Sequence, residues 1–154
     1  MRAPRSSPQP VHLLDVNVLI ALAWPQHVQH KAAHGWFDKV GNRRWASCPL
    51  TQLAFVRISS NAKIIANAVS PRAAVHALSQ MTALPGHQFW PDDLPLSGLP
   101  SFSSAALVGH RQVTDAYLLE LARHRQGVLA TLDGGIAELL AKNEPKTRIE
   151  LIRN

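Results

Sequence analysis

Three aspartates stand where the surrounding residues are those of a core. Asp15 closes the apolar run VHLLD, Asp133 closes VLATLD, and Asp115 follows Val113-Thr114 at the head of VTDAYLLELARHRQ. A carboxylate at the end of a buried strand is costly unless it is paired or emerges into a cleft. In an open α/β sheet, parallel strands end on one edge, so Asp15 and Asp133 can meet there although far apart in sequence. Asp115 can join them from a helix N-terminus. Structural roles exist for two of the three: Asp115 suits a helix dipole, and Asp133 before Gly134-Gly135 suits a turn. Asn17 and Thr131, close to the first and last aspartates, can hold a carboxylate or a metal-bound water, or satisfy a local backbone group.

Brought together, three carboxylates repel one another. Two unit charges roughly 4 Å apart in a partly buried site cost about 4 kcal/mol, so a cation is required to offset them. An oxygen-only donor set favours a hard ion, Mg²⁺ or Mn²⁺, which keeps several waters and is held by a few carboxylates together with substrate phosphate. Such an ion activates water and stabilises a phosphorus transition state, which makes the constellation a candidate for phosphodiester cleavage.

The pattern along the chain supplies the elements that would position these groups. VHLLD reads as a buried strand, followed by a helix over VNVLIALAW that Pro25 closes. A second helix is expected over HVQHKAAHGWFDKV, ending at Gly41, then a strand at WASC and a helix over PLTQLAFVRISSNAKI. Ser70 and Pro71 are the N-cap and first turn of a helix reaching Leu84. Residues 85–104, rich in Pro, Gly and Ser, read as irregular apart from a short strand at HQFW. VTDAYLLELARHRQ is an amphipathic helix capped by Thr114 and ended by Gly127. VLATL is a buried strand, GGIAELLAKN a helix and TRIELI a closing strand. Strands alternating with helices predict right-handed crossovers, a mostly parallel sheet and helices on both faces.

At 154 residues the chain fits one domain over residues 11–154, preceded by a loose tail, MRAPRSSPQP, which lacks the apolar segment of a secretory signal. No apolar run approaches the roughly 20 residues of a membrane span. The lone Cys48 excludes an internal disulfide and cysteine-rich zinc sites, and suits a reducing compartment, the cytoplasm. The net charge is +6, and setting aside Arg2 and Arg5 with the tail leaves fourteen of the sixteen basic residues against ten acidic ones. That balance suits a polyanion such as RNA, although basic residues can equally be spread over a solvated surface.

LLDVNVLIAL, PLTQLAFVRI, GHRQVTDAYLLELA and LATLDGGI, in that order, resemble the signature segments of PIN-domain proteins, specifically VapC-type toxins of bacterial toxin–antitoxin pairs. The likeness spans nearly all of the chain after the tail. It implies a three-layer α/β/α sandwich, a Mg²⁺- or Mn²⁺-dependent endoribonuclease activity, homodimerisation and inhibition by a small cognate antitoxin. By position it assigns Asp15, Asp115 and Asp133 to the metal. The family often has a Glu in the middle segment, where this chain has Gln52. An amide offers an oxygen but no charge, and cannot act as a general base, so weaker metal binding is expected.

On this reading Gln52 completes the cleft, Thr114 supports Asp115, and Arg57 and Arg111 stand where they can hold flanking phosphates. Each arginine has an equally plain reading as a solvated surface residue. Trp36, Phe37 and Phe55 fit core positions, Asp92 and Asp93 fit cap or surface roles, and His27, His30 and His34 lack the partner ligands of a zinc site. One rival is a catalytically weak or inactive module that binds RNA or the antitoxin. Aspartate-nucleophile phosphatases also place an acid after the first strand, but want a second acid where this chain has Asn17. A phospho-receiver wants an acidic pair that the chain lacks.

Overall fold

The computed structural model describes residues 7–103, 107–140 and 144–154. Five short strands, β1 His12–Leu14, β2 Trp45–Ser47, β3 His87–Phe89, β4 Val128–Thr131 and β5 Ile149–Leu151, form one parallel sheet in the order β3-β2-β1-β4-β5. The helices are α1 Val16–Ala23, α2 His30–Lys39, α3 Pro49–Ser59, α4 Pro71–Thr82 and α5 Val113–His124. This is the α/β/α sandwich expected from the alternation of patterns.

Side-chain alternation along the central strands builds the layers. Leu13 and Leu14, successive in β1, are both fully buried and point to opposite faces. Leu14 joins Val18, Leu19, Phe37, Trp45, Phe55 and Leu78 under α1 to α4. Leu13 joins Ala46, Leu129, Leu118, Leu121 and Ile136 under α5. A strand covered on both faces must be apolar throughout, which is why β1, β2 and most of β4 are buried while the edge strands β3 and β5 are only partly so. Each such buried leucine contributes roughly 1.5–3 kcal/mol.

Gly127 links α5 to β4 where space decides the residue: a Cβ there would lie 2.7 Å from Val11 O and from the Trp90 ring. The chain reaches it through Gln126 at φ 54, and Gly127 N–H donates to Ala122 O at 2.8 Å, closing α5.

Four expected boundaries shift for local reasons. The second helix begins at His30 rather than His27, because His27 Nδ1 accepts the Gln29 N–H and fixes a turn. The third ends at Ser59, where Ser60 Oγ turns back onto Val56 O and Asn61 Oδ1 takes the Lys63 N–H. Thr114 is not a cap: α5 starts at Val113, out of a 3-10 turn His110–Gln112, and Thr114 lies exposed inside its first turn. GGIAELLAKN forms a 3-10 segment, Gly134–Leu139, since two leading glycines disfavour an α-helix. Its last residues, 141–143, and residues 1–6 of the tail lie outside the described residues. Among the described residues no helix is long and apolar enough to cross a membrane.

Candidate active site

Between β1 and β4 the strand order reverses: β2 and β3 lie on one side of β1, β4 and β5 on the other. At such a switch point the connections leave in opposite directions and open a crevice at the carboxyl ends of the strands. The register, with Leu14 opposite Ala130, carries Asp15 alongside Thr131. Asp15 N–H donates to Ala130 O at 2.9 Å, extending the ladder by one bond. Because α5 runs antiparallel to the strand that follows it, its first turn, with Asp115, returns to the same edge.

Asp15 is buried, with 4% of its surface exposed, and both oxygens are engaged. Oδ1 accepts the Val16 N–H at 2.7 Å, making Asp15 the N-cap of α1, and Oδ2 accepts the Thr131 hydroxyl at 2.8 Å. Thr131 Oγ1 in turn accepts the Asp133 N–H at 3.0 Å and the Asn17 side-chain amide at 3.3 Å, while Asn17 Oδ1 accepts the Leu132 N–H at 3.2 Å. Thr131 and Asn17 therefore lock the end of β1 to the end of β4. Asp133 is exposed and caps its own turn, Oδ1 accepting the Gly135 N–H at 2.9 Å.

Asp115 is different. It is half-buried, and no group among the described residues donates a hydrogen bond to it. Burial, then the charges of Asp15 and Asp133, push its carboxyl up to about 6. Burial also raises Asp15, opposed by the Thr131 and Val16 bonds and reinforced by Asp133. Asp15 and Asp133 both act on Asp115, and among the described residues no basic side chain pairs with the three. Among the described residues no three acidic, imidazole or thiol groups already converge as a ready-made chelate. An oxygen-only trio, with Asp115 unpartnered among the described residues, has the donor chemistry of a hard divalent ion's site.

The remaining candidates sit as follows. Gln52, partly buried on α3, donates to Ser47 Oγ at 2.9 Å, and that hydroxyl also meets His87 Nε2 at 2.7 Å. Its amide is thus engaged beside β3, and no hydrogen bond ties it to the aspartates. Arg57 and Arg111 are exposed and make no ion pair among the described residues. His30 and His34 bind the carbonyls of Ala21 and Leu22, a structural use that accounts for their spacing. Phe55 is core, and Cys48 is buried with its thiol pushed up to about 11 by desolvation.

A cavity of about 380 Å³ opens at the start of α5, lined by Leu50, Asp92, Leu94, Phe102, Thr114 and Tyr117 among others but by none of the three aspartates. Asp92 Oδ2 accepts the Leu50 N–H at 2.9 Å, the cap role expected of it, and Asp93 pairs with Arg125 at 3.1 Å. Tyr117 carries no sequence signal beyond being the single tyrosine, placed two residues after Asp115 in an otherwise apolar stretch.

No protein-family model matches the sequence. Ribonuclease VapC39 of Mycobacterium tuberculosis (strain H37Rv) is 46% identical over 126 residues, 82% of this chain and 91% of that protein. Ribonuclease VapC38 of the same strain is 44% identical over 140 residues, covering 91% and 96%. Ribonuclease VapC29 is 45% identical over 127 residues, covering 82% and 89%. Among solved structures, FitAcB from Neisseria gonorrhoeae superposes with a TM-score of 0.57 at 20% identity, over 84% of this chain and 93% of that one. FitAB bound to an IR36 DNA fragment gives 0.58 at 17%, over 84% and 90%. The structural likeness establishes a shared fold, and the sequence identity over most of both lengths places the chain in the VapC ribonuclease family.

Proposed function

We propose that this chain is a divalent-metal-dependent endoribonuclease, the toxin of a toxin–antitoxin pair, and that Asp15, Asp115 and Asp133 hold its ion. The observation that carries the reading is Asp115, a half-buried carboxylate without a donor among the described residues, raised to about 6 by burial and two neighbouring acids. Bound there, Mg²⁺ or Mn²⁺ supplies Lewis-acid activation of water and neutralises charge at phosphorus. Asp15 contributes a fixed oxygen, because Thr131 and the Val16 N–H leave its carboxylate one orientation. Asp115 contributes a half-buried charge that no hydrogen bond engages among the described residues, and Asp133, exposed, faces solvent and substrate. Thr131 and Asn17 orient the acids without touching the phosphate, and Thr114, exposed beside Asp115, borders the substrate path.

Arg57 and Arg111 serve as exposed phosphate contacts, in keeping with the net charge of +6. Gln52 positions Ser47 and His87 beside the cleft and takes no part in binding the ion. The names of the VapC relatives support RNA as the substrate, and the family resemblance implies an antitoxin as partner. Exposed Leu53, Val75 and Phe89, lining one apolar groove by α3 and α4, support a protein partner or second copy on that face.

Sequencing RNA 5′ ends after expression of the wild type and of Asp15→Asn tests the proposal. Cleavage sites seen only with the wild type, and lost in EDTA in vitro, support it. Equal cleavage by both proteins would overturn it.

A further inference from the structure

The cavity at the start of α5 contains a hydroxyl whose proton has no acceptor among the described residues. Tyr117 is 92% buried, and no hydrogen-bond partner meets its hydroxyl among the described residues, although the Leu94 main chain comes near the oxygen. Removing a hydroxyl from water without an acceptor is costly, so a buried O–H left without one on a residue that lines an open cavity points to a ligand that accepts from it. The rest of the wall narrows the ligand's chemistry. Leu50, Leu94 and Phe102 present apolar and aromatic surface, and the carboxylate of Asp92 is exposed at the mouth, near enough to Tyr117 for its charge to be felt there. A flat apolar body with a carbonyl on one edge and an amino group on another satisfies all of these groups at once.

All of these side chains follow strand ends or begin α5, so the cavity opens on the sheet edge that carries the three aspartates, and Thr114 joins the two. We propose that this cavity is a nucleobase pocket for the RNA base flanking the scissile phosphate, with Tyr117 Oη donating to a base carbonyl and Asp92 accepting from an exocyclic amino group. Guanine and cytosine carry both groups, whereas adenine lacks the carbonyl and uracil the amino group. Phe102 supplies the stacking face that an unpaired base seeks. An apolar side chain from a second copy of the chain would fill the space but leave the Tyr117 proton without an acceptor. The pocket deepens the ribonuclease reading and rests on it for the identity of its occupant.

The test measures binding in EDTA, where no cleavage is needed. Fluorescently labelled five-nucleotide RNAs, identical except for G, C, A or U at the central position, are titrated with the full-length wild type, Tyr117→Phe and Asp92→Asn. We expect the wild type to prefer G or C about fivefold over A and U. Tyr117→Phe, which keeps the ring and the fold, should bring all four within about twofold. Asp92→Asn should shift the order among G and C. No preference in the wild type, or an unchanged preference in Tyr117→Phe, overturns the pocket. So does a Tyr117→Phe effect confined to self-association, which would assign the cavity to a second copy. Loss of cleavage with binding preference intact would fault the ribonuclease reading and leave the pocket standing.

Discussion

One helix, α5, carries two acids, half-buried Asp115 and buried Glu120, that the protein treats in opposite ways. Near its C-terminal end Glu120, 4% exposed, accepts from Arg123 Nη1 at 2.5 Å and from the Ser101 N–H at 2.8 Å. Arg123 also pairs with Glu144 and donates to Ser101 Oγ at 2.7 Å. Burial in that cluster is matched by an internal cation whose own proton is held more tightly by the two glutamates. At the N-terminal end Asp115 feels the charges of Asp15 and Asp133, and no ion pair offsets them among the described residues. The fold therefore has the means to neutralise a buried acid within three residues of chain and does not use it at the sheet edge. An acid cluster left uncompensated among the described residues, at a topological switch point, is the chemistry that the proposed ion would need.

Breaking the paired end gives the largest expected effect. Arg123→Ala leaves Glu120 buried and uncompensated, and we expect a loss of about 3–5 kcal/mol in urea unfolding. A loss under about 1 kcal/mol would mean that water or another residue replaces the guanidinium. At the other end the sign should reverse. Asp115→Asn removes a repelling charge, so the ion-free variant should match or exceed wild-type stability at neutral pH. Its metal-dependent RNA cleavage should fall by about a hundredfold or more. Measured together by thermal melting and a gel assay, stability and activity must part company; a joint fall would make Asp115 structural.

Thr131→Val sharpens the contrast, since it preserves shape and deletes the hydroxyl that Asp15, Asn17 and Asp133 share. We expect about 1–3 kcal/mol of destabilisation, with activity reduced about 10–100-fold through misorientation of Asp15. Unaltered activity would show that Asp15 does not need this lock.

The smallest effect is on pH. Without ion, Asp115 holds its proton up to about 6 in the folded state, against 3.8 as its ordinary value. The folded state thus binds the proton more tightly than the unfolded one, and stability falls as pH rises from about 4 to about 6. Melting of the EDTA-treated protein across that range should show the decline. In Asp115→Asn the slope should flatten.

The sheet edge was more legible in the sequence than its surroundings. Asp15 and Asp133 are visible because each interrupts an apolar run at a strand end, where a charge needs a reason. Asp115 is legible only once α5 is known to run back to that edge. Apart from GGIAELLAKN, which forms a 3-10 segment, element types followed from periodicity, but boundaries moved where a side chain took over a backbone bond, as His27 does for Gln29 and Ser60 for Val56. Tyr117 left no trace, because a tyrosine in an apolar helix looks like any core aromatic until its hydroxyl is found alone. The Arg123, Glu120 and Glu144 network was equally hidden: Glu120 and Arg123 show the spacing of an ordinary helix surface pair, and Glu144 comes from a distant segment.

Thermal melting at pH 7 with and without Mn²⁺, for wild type and Asp115→Asn, tests most directly whether the uncompensated acids are an ion site. We expect Mn²⁺ to raise the wild-type melting temperature by several degrees, as a ligand bound only to the folded state must, and to leave Asp115→Asn nearly unchanged. A wild type indifferent to Mn²⁺, or a variant that responds as the wild type does, would contradict it.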